Sequence, residues 1–341
     1  MKSPNHVTIV DVAHEANVSY TTVSRVINNK DNVKPETRER VLTAMTRLGY
    51  VVDQRARSLA GGRSQLIGLL VHDVSTSYIG EIIRGIDVEL ASAQYDLLLY
   101  TTHRRKMKES AYVGTLTRGL ADGLLLVLPR DPGAYLETLR QYHFPYVLID
   151  HRGGDEEAPA VAAANRQGAY KATEHLIELG HRRIGFITGA MDQMCAQDRL
   201  EGYKTALTHQ GITFDPEMVR EGDFFQHLGY TGANALLELP HPPTAIFASN
   251  DVSAFGVMEA VREHGLRIPG DVSVVGFDDI PQAAHVHPPL TTVRQPLEEM
   301  GRTATRMLLE RINDPQLPIE RVELPTYLVL RQSCQPISRT E

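Results

Sequence analysis

From residue 65 onward the chain alternates short, nearly continuous apolar runs with longer stretches of helical spacing. The runs LIGLLV, DLLLYTT, GLLLVL, YVLID, RIGFITG, TAIFAS and VSVVGFDD are the strand candidates. Strands without polar alternation are buried on both faces, as in parallel sheets covered by helices. There are too many such units for one compact sheet, and the pattern restarts near Asn165. The body is therefore expected to form two Rossmann-like lobes. The Pro-rich stretch HPPLTTVRQP at 287–296 reads as a crossing between them, and ERVELPTYLVLR as a crossing back. The expected first lobe comprises about 65–164 and 293–323, and the second about 165–292 and 324–334.

Before residue 53 the apolar positions recur only at helical spacing. Thr8 opens a capping-box-like start, followed by Ile9, Val12, Ala13 and Ala16 on one face. Asn17 falls where that helix must turn, and asparagine tolerates the left-handed conformation. Ser19 is placed to cap a second helix, with Val23, Val26 and Ile27 inward. Tyr20, Thr21, Ser24, Arg25 and Asn28 are left facing outward. Pro35 starts a third helix, Val41, Leu42, Met45 and Leu48 supply its buried stripe, and Gly49 ends it. Three short helices with a sharp turn between the first two make a helix-turn-helix, here expected over 1–52.

Charge sharpens this division. Residues 1–63 carry ten Lys/Arg against six Asp/Glu, while the remainder carries 25 against 36. A basic head on an acidic body places any polyanion contact in the head. Two cysteines, Cys195 and Cys334, are too few for a disulfide framework and lack metal-ligand spacing. The start MKSPNHVTIVDVAHEA has no apolar core of a secretory signal, and no apolar run reaches the ~18 residues of a membrane span. A cytoplasmic protein without membrane contact is expected. No GxGxxG follows a first strand and no Ser/His/Asp spacing appears, so neither enzymatic activity, a cofactor nor a metal is expected. His285 with His287 reads as loop surface, and the basic run HRRKMK at 103–108 as a solvated helix start.

The segment VTIVDVAHEANVSYTTVSRVINN resembles the DNA-binding head of the LacI/GalR family of bacterial transcriptional repressors. The likeness runs through TRERVLTAMTRLGY and RSLAGGRSQLIGLL and covers nearly the whole chain. It implies that Tyr20, Thr21 and Arg25 read base edges in the major groove, Arg25 by a bidentate contact to guanine. Thr8, Ser19, Thr22, Ser24 and Asn28 are then phosphate contacts that fix register. It also implies a hinge over 53–64, folded only on DNA, whose Ala56 and Leu59 enter the minor groove, with Leu59 as the wedge. Here the chain departs from the family, carrying Val52-Asp53 where Pro-Asn is common.

For the body the resemblance implies the periplasmic-binding-protein type of fold, with a ligand cleft between lobes. In doubly wound folds ligands meet the carboxyl ends of strands, so polar residues after strands are the candidates. These are Asp73, Asp150, Asn250, Asp251, Asp278 and Asp279, with Arg199 from a helix start and Gln295 after TTVR. The family's clefts use the matching positions Asp150, Arg199, Asn250 and Asp278. Asp251 and Asp279 read as helix caps. Tyr78 or Phe224 would supply an aromatic face, and the set Asp73, Tyr78, Asp150, Arg199, Phe224, Asn250, Asp278 and Gln295 suits a polyhydroxyl ligand. The purine-sensing branch would place basic and hydroxyl groups near Gln193 and Cys195 instead. The expected function is a homodimeric repressor of carbohydrate-utilisation genes on a near-palindromic operator, controlled allosterically by a sugar. A purine-responsive corepressed regulator, a cytosolic sugar-binding protein and an enzyme are the rivals.

Overall fold

The computed structural model describes residues 7–27, 32–50, 63–102, 106–130, 133–152 and 158–337. The chain divides into two compact units, Met1–Ser64 and Gln65–Glu341.

In the first unit, α1 (Ile9–Glu15), α2 (Tyr20–Ile27) and α3 (Pro35–Leu48) enclose a small core of Val12, Ala13, Ala16, Val23, Val26, Val41 and Ala44. Thr8 and Asp11 form a complete capping box on α1. Asn17 takes φ 50° at the turn, the left-handed conformation that ends α1 and redirects the chain. Arg40 of α3 fixes that turn by donating to the carbonyls of Ala16 at 2.6 Å and Asn17 at 3.1 Å. Gly49 closes α3 at φ 63°. One expectation is corrected: Leu42 is 50% exposed, and Ala44 takes its place in the buried stripe. The helix turns Leu42 about 100° from Val41, beyond the reach of the two shorter helices.

The second unit holds two sheets of six strands each. The first contains β1 (Leu66–Val71), β2 (Asp96–Thr101), β3 (Gly123–Val127), β4 (Tyr146–Ile149), β5 (Ala160–Ala163) and β11 (Arg321–Leu324), with α4 (Ser77–Ser92), α5 (Lys106–Leu116) and α6 (Gly133–Gln141) between them. Its order is β11-β5-β4-β3-β1-β2, and every pairing is parallel. The second sheet contains β6 (Ile184–Ile187), β7 (Val219–Arg220), β8 (Ala245–Ala248), β9 (Ser273–Asp278), β10 (Thr291–Arg294) and β12 (Tyr327–Val329). It repeats the order as β12-β10-β9-β8-β6-β7, with β12 alone antiparallel. Its helices are α7 (Asn165–Glu178), α8 (Met194–His209), α9 (Gln226–Leu237) and α10 (Asp251–Glu263), while α11 (Leu297–Asn313) returns to the first sheet. The central strands β3, β4, β6 and β8 are buried at every residue, as unbroken apolar runs require.

Three chain crossings join the lobes: between β5 and α7, between β10 and α11, and between β11 and β12. The expected return at residue 293 is corrected. Val293 and Arg294 pair with Phe277 and Asp278 in the second sheet, and the chain crosses at Gln295-Pro296. Leu324, expected in the second lobe, pairs with Ala163 in the first. TTVR sits inside the Pro-rich stretch HPPLTTVRQP, which is why the sequence reads as a connector there. Its threonines are nevertheless buried, with Thr292 donating its hydroxyl to Asp251.

α11 docks on α4 through two glycines. A Cβ on Gly85 would stand 2.0 Å from the Glu298 carbonyl oxygen, and one on Gly301 would stand 2.2 Å from that of Ile82. Gly80 of α4 is exposed, with nothing within 4 Å of such an atom. Gly85→Ala is therefore expected to destabilise by about 1–3 kcal/mol through overpacking, whereas Gly80→Ala should stabilise by up to about 1 kcal/mol. Urea unfolding of the two variants checks this, and equal effects would contradict the close helix contact.

Candidate functional site

The repeated strand order places a reversal between β1 and β3 in one sheet and between β6 and β8 in the other. At such reversals the loops after adjacent strands splay apart and leave a crevice. The two crevices face one cavity of about 660 Å³, its mouth included. His72 and Asp73 after β1, Leu128 and Arg130 after β3, and Asp150 after β4 line it from the first lobe. Gln193, Cys195 and Arg199 of α8 and the preceding loop, Asp223, Phe224 and Phe225 after β7, Asn250 after β8 and Asp278 of β9 line it from the second.

Its polar groups form one network across the first crossing. Asp150 accepts from the Tyr78 hydroxyl at 2.7 Å and from the Asn165 amide at 3.1 Å. The carbonyl of that same amide accepts from Arg199 Nε at 2.9 Å. Arg199 further donates to the Ser249 carbonyl at 2.6 Å, lies 3.6 Å from Asp278 and stacks 3.9 Å from the Phe277 ring centroid, with Phe224 5.5 Å away on its cavity side. A guanidinium only 2% exposed is tolerable because Nε and Nη1 are hydrogen-bonded, a carboxyl lies nearby and a ring covers its face. Three polar links then span the lobes: Arg130 with Asp192 at 3.8 Å, Arg152 with Asp198 at 3.1 Å, and Gln282 Nε2 donating to Ser77 at 2.6 Å.

Backbone strain collects at the same place. Leu128, Asp150, Phe224 and Asp278 all have positive φ, from 49° to 114°, and all line the cavity. Bulky residues such as Leu and Phe rarely adopt this region, and each instance costs on the order of 1–3 kcal/mol. Gly189 accommodates the result, since a Cβ there would meet the Phe224 ring at 1.9 Å.

Asp73, Tyr78, Asp150, Arg199, Phe224, Asn250 and Asp278 thus all reach the cavity, but Gln295 does not. It is 3% exposed at the second crossing and donates to Asp278 Oδ1 at 2.7 Å, so it orients that carboxylate from behind. Asn250 lines the cavity and also caps α10, accepting from the Ser253 amide at 2.9 Å. Asp251 is corrected from a cap to a cross-link: its carboxylate accepts from the Ile280 amide and the Thr292 hydroxyl. Asp279 is likewise held by Arg294 and Arg331 rather than by a helix end. His72, Arg130, Asp223, Phe225 and the bridging Asn165 were not among the candidates. His72 directly follows the run LIGLLV and Arg130 follows GLLLVL after one proline, so the rule that polar residues after strands meet the ligand covers them as well.

In the head, Tyr20, Thr21 and Arg25 stand on the exposed side of α2, with Val23 and Val26 beneath. The Ser19 hydroxyl lies 2.7 Å from that of Thr21 and 2.8 Å from that of Thr22, and accepts from the Thr22 amide at 3.2 Å. Ser24 is half-buried on the same helix. Thr8 is already committed, since Asp11 accepts from both its hydroxyl and its amide. Asn28, Ala56 and Leu59 lie outside the described residues, as do the other hinge positions 53–62. Among the described residues no group of His, Cys, Asp and Glu could hold a metal ion, and no helix is long and apolar enough to cross a membrane.

Burial pushes Asp278 up to about 7, against the pull of Arg199 and the Gln295 hydrogen bond. Burial likewise raises the Tyr78 hydroxyl, which stays a donor to Asp150, and the Cys195 thiol, which stays protonated and unreactive. For Asp278 the folded value exceeds the unfolded value of about 3.9, so its stabilising contribution is complete below about pH 4 and is lost as pH rises through about 7. Asp278→Asn mimics the protonated form. In urea unfolding at pH 5 to 8 the variant should gain stability relative to the parent as pH rises, whereas a pH-independent difference would contradict the raised carboxyl.

Comparison with known proteins agrees with both units. A profile describing bacterial regulatory proteins of the lacI family matches residues 8–53, and one describing a periplasmic binding protein-like domain matches 173–334. The HTH-type transcriptional repressor PurR of Escherichia coli is 37% identical over 330 residues, covering 96% of each chain. The lac repressor dimer bound to operator and the anti-inducer ONPF superposes with a TM-score of 0.85 at 30% identity, covering 96% of this chain and 99% of that one. A complex of the transcriptional regulator CelR with cellobiose gives 0.74 at 34% identity with the same coverage. A helix-turn-helix head, a doubly repeated parallel α/β body and near-complete alignment to repressors lead to one conclusion: the chain belongs to the lacI family of bacterial regulatory proteins, DNA-binding regulators of transcription.

Proposed function

We propose that this regulator is a cytoplasmic repressor, without enzymatic activity, that responds to a sugar bound between its lobes. The observation that carries the reading is the cavity's chemistry. Asp73, Asp150, Asp223 and Asp278 are acceptors, Asn250 and Gln193 offer amides, and Phe224, Phe225 and Tyr78 contribute rings. Such a site needs a ligand rich in hydroxyl donors with an apolar face to stack, which describes a pyranose or furanose. The likeness to the CelR–cellobiose complex supports it.

A second reading, a purine ligand, is favoured by the 37% identity to PurR. A nucleobase, however, brings few N–H donors to four carboxylates. At the head of α8 the cavity presents Gln193 and a protonated Cys195, rather than a cation and a hydroxyl.

On the DNA side, Tyr20, Thr21 and Arg25 are proposed to read bases, and Ser19, Thr22, Ser24 and Asn28 to grip phosphates. The engaged hydroxyl of Thr8 makes it the weakest member of that set. Ala56 and Leu59 are assigned to the minor groove on the sequence alone. The operator-bound lac repressor dimer supports a homodimer on a near-palindromic site. Sugar binding is proposed to favour a lobe arrangement with lower operator affinity, a coupling of about 1–3 kcal/mol.

Two outcomes are expected. Arg25→Ala should lower the preference for a selected palindrome over random duplex by roughly 5- to 150-fold, matching about 1–3 kcal/mol for one bidentate contact. Fluorescence anisotropy with both duplexes measures it, and an unchanged ratio removes Arg25 from base reading. Arg199→Lys keeps the charge but loses the fork. It should weaken sugar binding in calorimetry at least tenfold while unfolding stays cooperative, and unchanged affinity would place the ligand elsewhere.

A further inference from the structure

Two arginines line the cavity, and they are held in opposite ways. Arg199 donates from Nε to Asn165 at 2.9 Å and from Nη1 to the Ser249 carbonyl at 2.6 Å, and its plane lies on the Phe277 ring. Arg130 lacks this support. Its Nε is buried and has no hydrogen-bond acceptor among the described residues. The carboxylate it faces across the lobes, Asp192, lies 3.8 Å from Nη1, which is an ion-pair distance and too long for a hydrogen bond.

The turn after β3 holds this loosely partnered side chain at the cavity. Leu128 stands at φ 49°, a region that leucine rarely enters, and Pro129 fixes the next φ. Two neighbours pin the turn. The Leu128 amide donates to the Ile149 carbonyl at 2.9 Å, and the Leu128 carbonyl accepts from His72 Nε2. Strain of this kind persists where its surroundings impose it, and it collects at ligand sites. A buried N–H without an acceptor also carries the full cost of its lost hydration, so native folds keep one where a ligand or water completes it.

We infer that Arg130 is a specificity-determining residue of the effector site, its guanidinium donating to acceptor oxygens of the bound sugar. This rests on reading the cavity as a sugar site and deepens that reading. Carboxylates at the cavity accept from sugar hydroxyls and so select for hydrogens, whereas Arg130 selects for lone pairs. Its contact to Asp192 is long enough for the guanidinium to turn toward a ligand. A planar fork of N–H donors suits two oxygens held side by side, and a sugar offers these from two sources: hydroxyls on neighbouring carbons or the carboxylate of an acidic sugar. A ligand without oxygen at that point leaves the donor unpaired and is rejected. Arg130 is anchored on the first lobe and Arg199 on the second, so a sugar that engages both spans the cleft.

Calorimetric titrations of the full-length protein test this with glucose, galactose, xylose, ribose, maltose, cellobiose, glucuronate and galacturonate; hypoxanthine and guanine serve as controls. For the sugar that binds the parent most tightly, Arg130→Met should weaken binding by about tenfold or more, while thermal unfolding stays cooperative. Asp192→Asn, which removes the carboxylate facing Arg130 but not the guanidinium, should leave that affinity unchanged or raise it. Arg130→Lys separates the two sources: it keeps most of the affinity for a uronate, whose carboxylate needs the charge, and loses as much as Arg130→Met for a neutral sugar, whose hydroxyls need the fork. Either pattern supports the assignment. Unchanged affinity in Arg130→Met overturns it and leaves the sugar reading standing. Equal losses in Arg130→Met and Asp192→Asn also overturn it, because Arg130 would then act by holding the lobes together. Binding of a nucleobase alone, or of no sugar in the set, overturns the sugar reading and this inference with it.

Discussion

Arg199 is a full positive charge that is 2% exposed, and the body is arranged to make that burial tolerable. An isolated buried guanidinium would cost many kcal/mol, and here Nε and Nη1 donate to protein acceptors while a ring covers the plane. Asn165 comes from the start of α7, Ser249 from the residue after β8, and Asp278 and the Phe277 ring from β9. Two of these partners lead to the chain crossings: Asn165 stands at the first, and Asp278 is held by Gln295 at the second. These partners move with the second lobe, and the first lobe reaches Arg199 through Asn165, whose amide also donates to Asp150. This is how a ligand touching its cavity side could shift a two-state equilibrium.

The same residues explain where strain is kept. Parallel strands deliver their carboxyl ends to one edge of each sheet, and the chain must turn sharply there to enter the next helix. At Leu128, Asp150, Phe224 and Asp278 it does so in the left-handed region without glycine. The surrounding core, continuous through strands buried at every position, holds these turns in place. Rigid sheets thus supply the position, and the strained turns supply the aim.

The parts legible in the sequence are those in which one physical signal dominates. Unbroken apolar runs marked the central strands, and capping residues with apolar spacing marked the head's helices, including the left-handed Asn17. Short or weakly apolar strands were not visible: β5 is AVAA, β7 has two residues, and β10 is TTVR, whose burial rests on threonine hydroxyls finding partners. The displaced lobe boundary follows from that last case. In the cavity, the rule that polar residues follow strands found Asp150 and Asp278 but could not tell a side chain facing the ligand from one behind it, which is Gln295. Asn165 carries no signal of its own, because its importance comes from Asp150 and Arg199, 15 and 34 residues away. Leu42 shows the converse, an apolar residue at the right spacing with nothing to pack against.

Head and body are separate compact units, so regulation requires that ligand in one alter the affinity of the other. Linkage makes this reciprocal: whatever factor the effector imposes on operator binding, the operator must impose on effector binding. The most direct measurement is calorimetric titration of the bound sugar into the free dimer and into the dimer saturated with its selected operator. The account predicts affinities that differ by about 5- to 150-fold, with weaker binding to the operator complex. Equal affinities in the two titrations would contradict it.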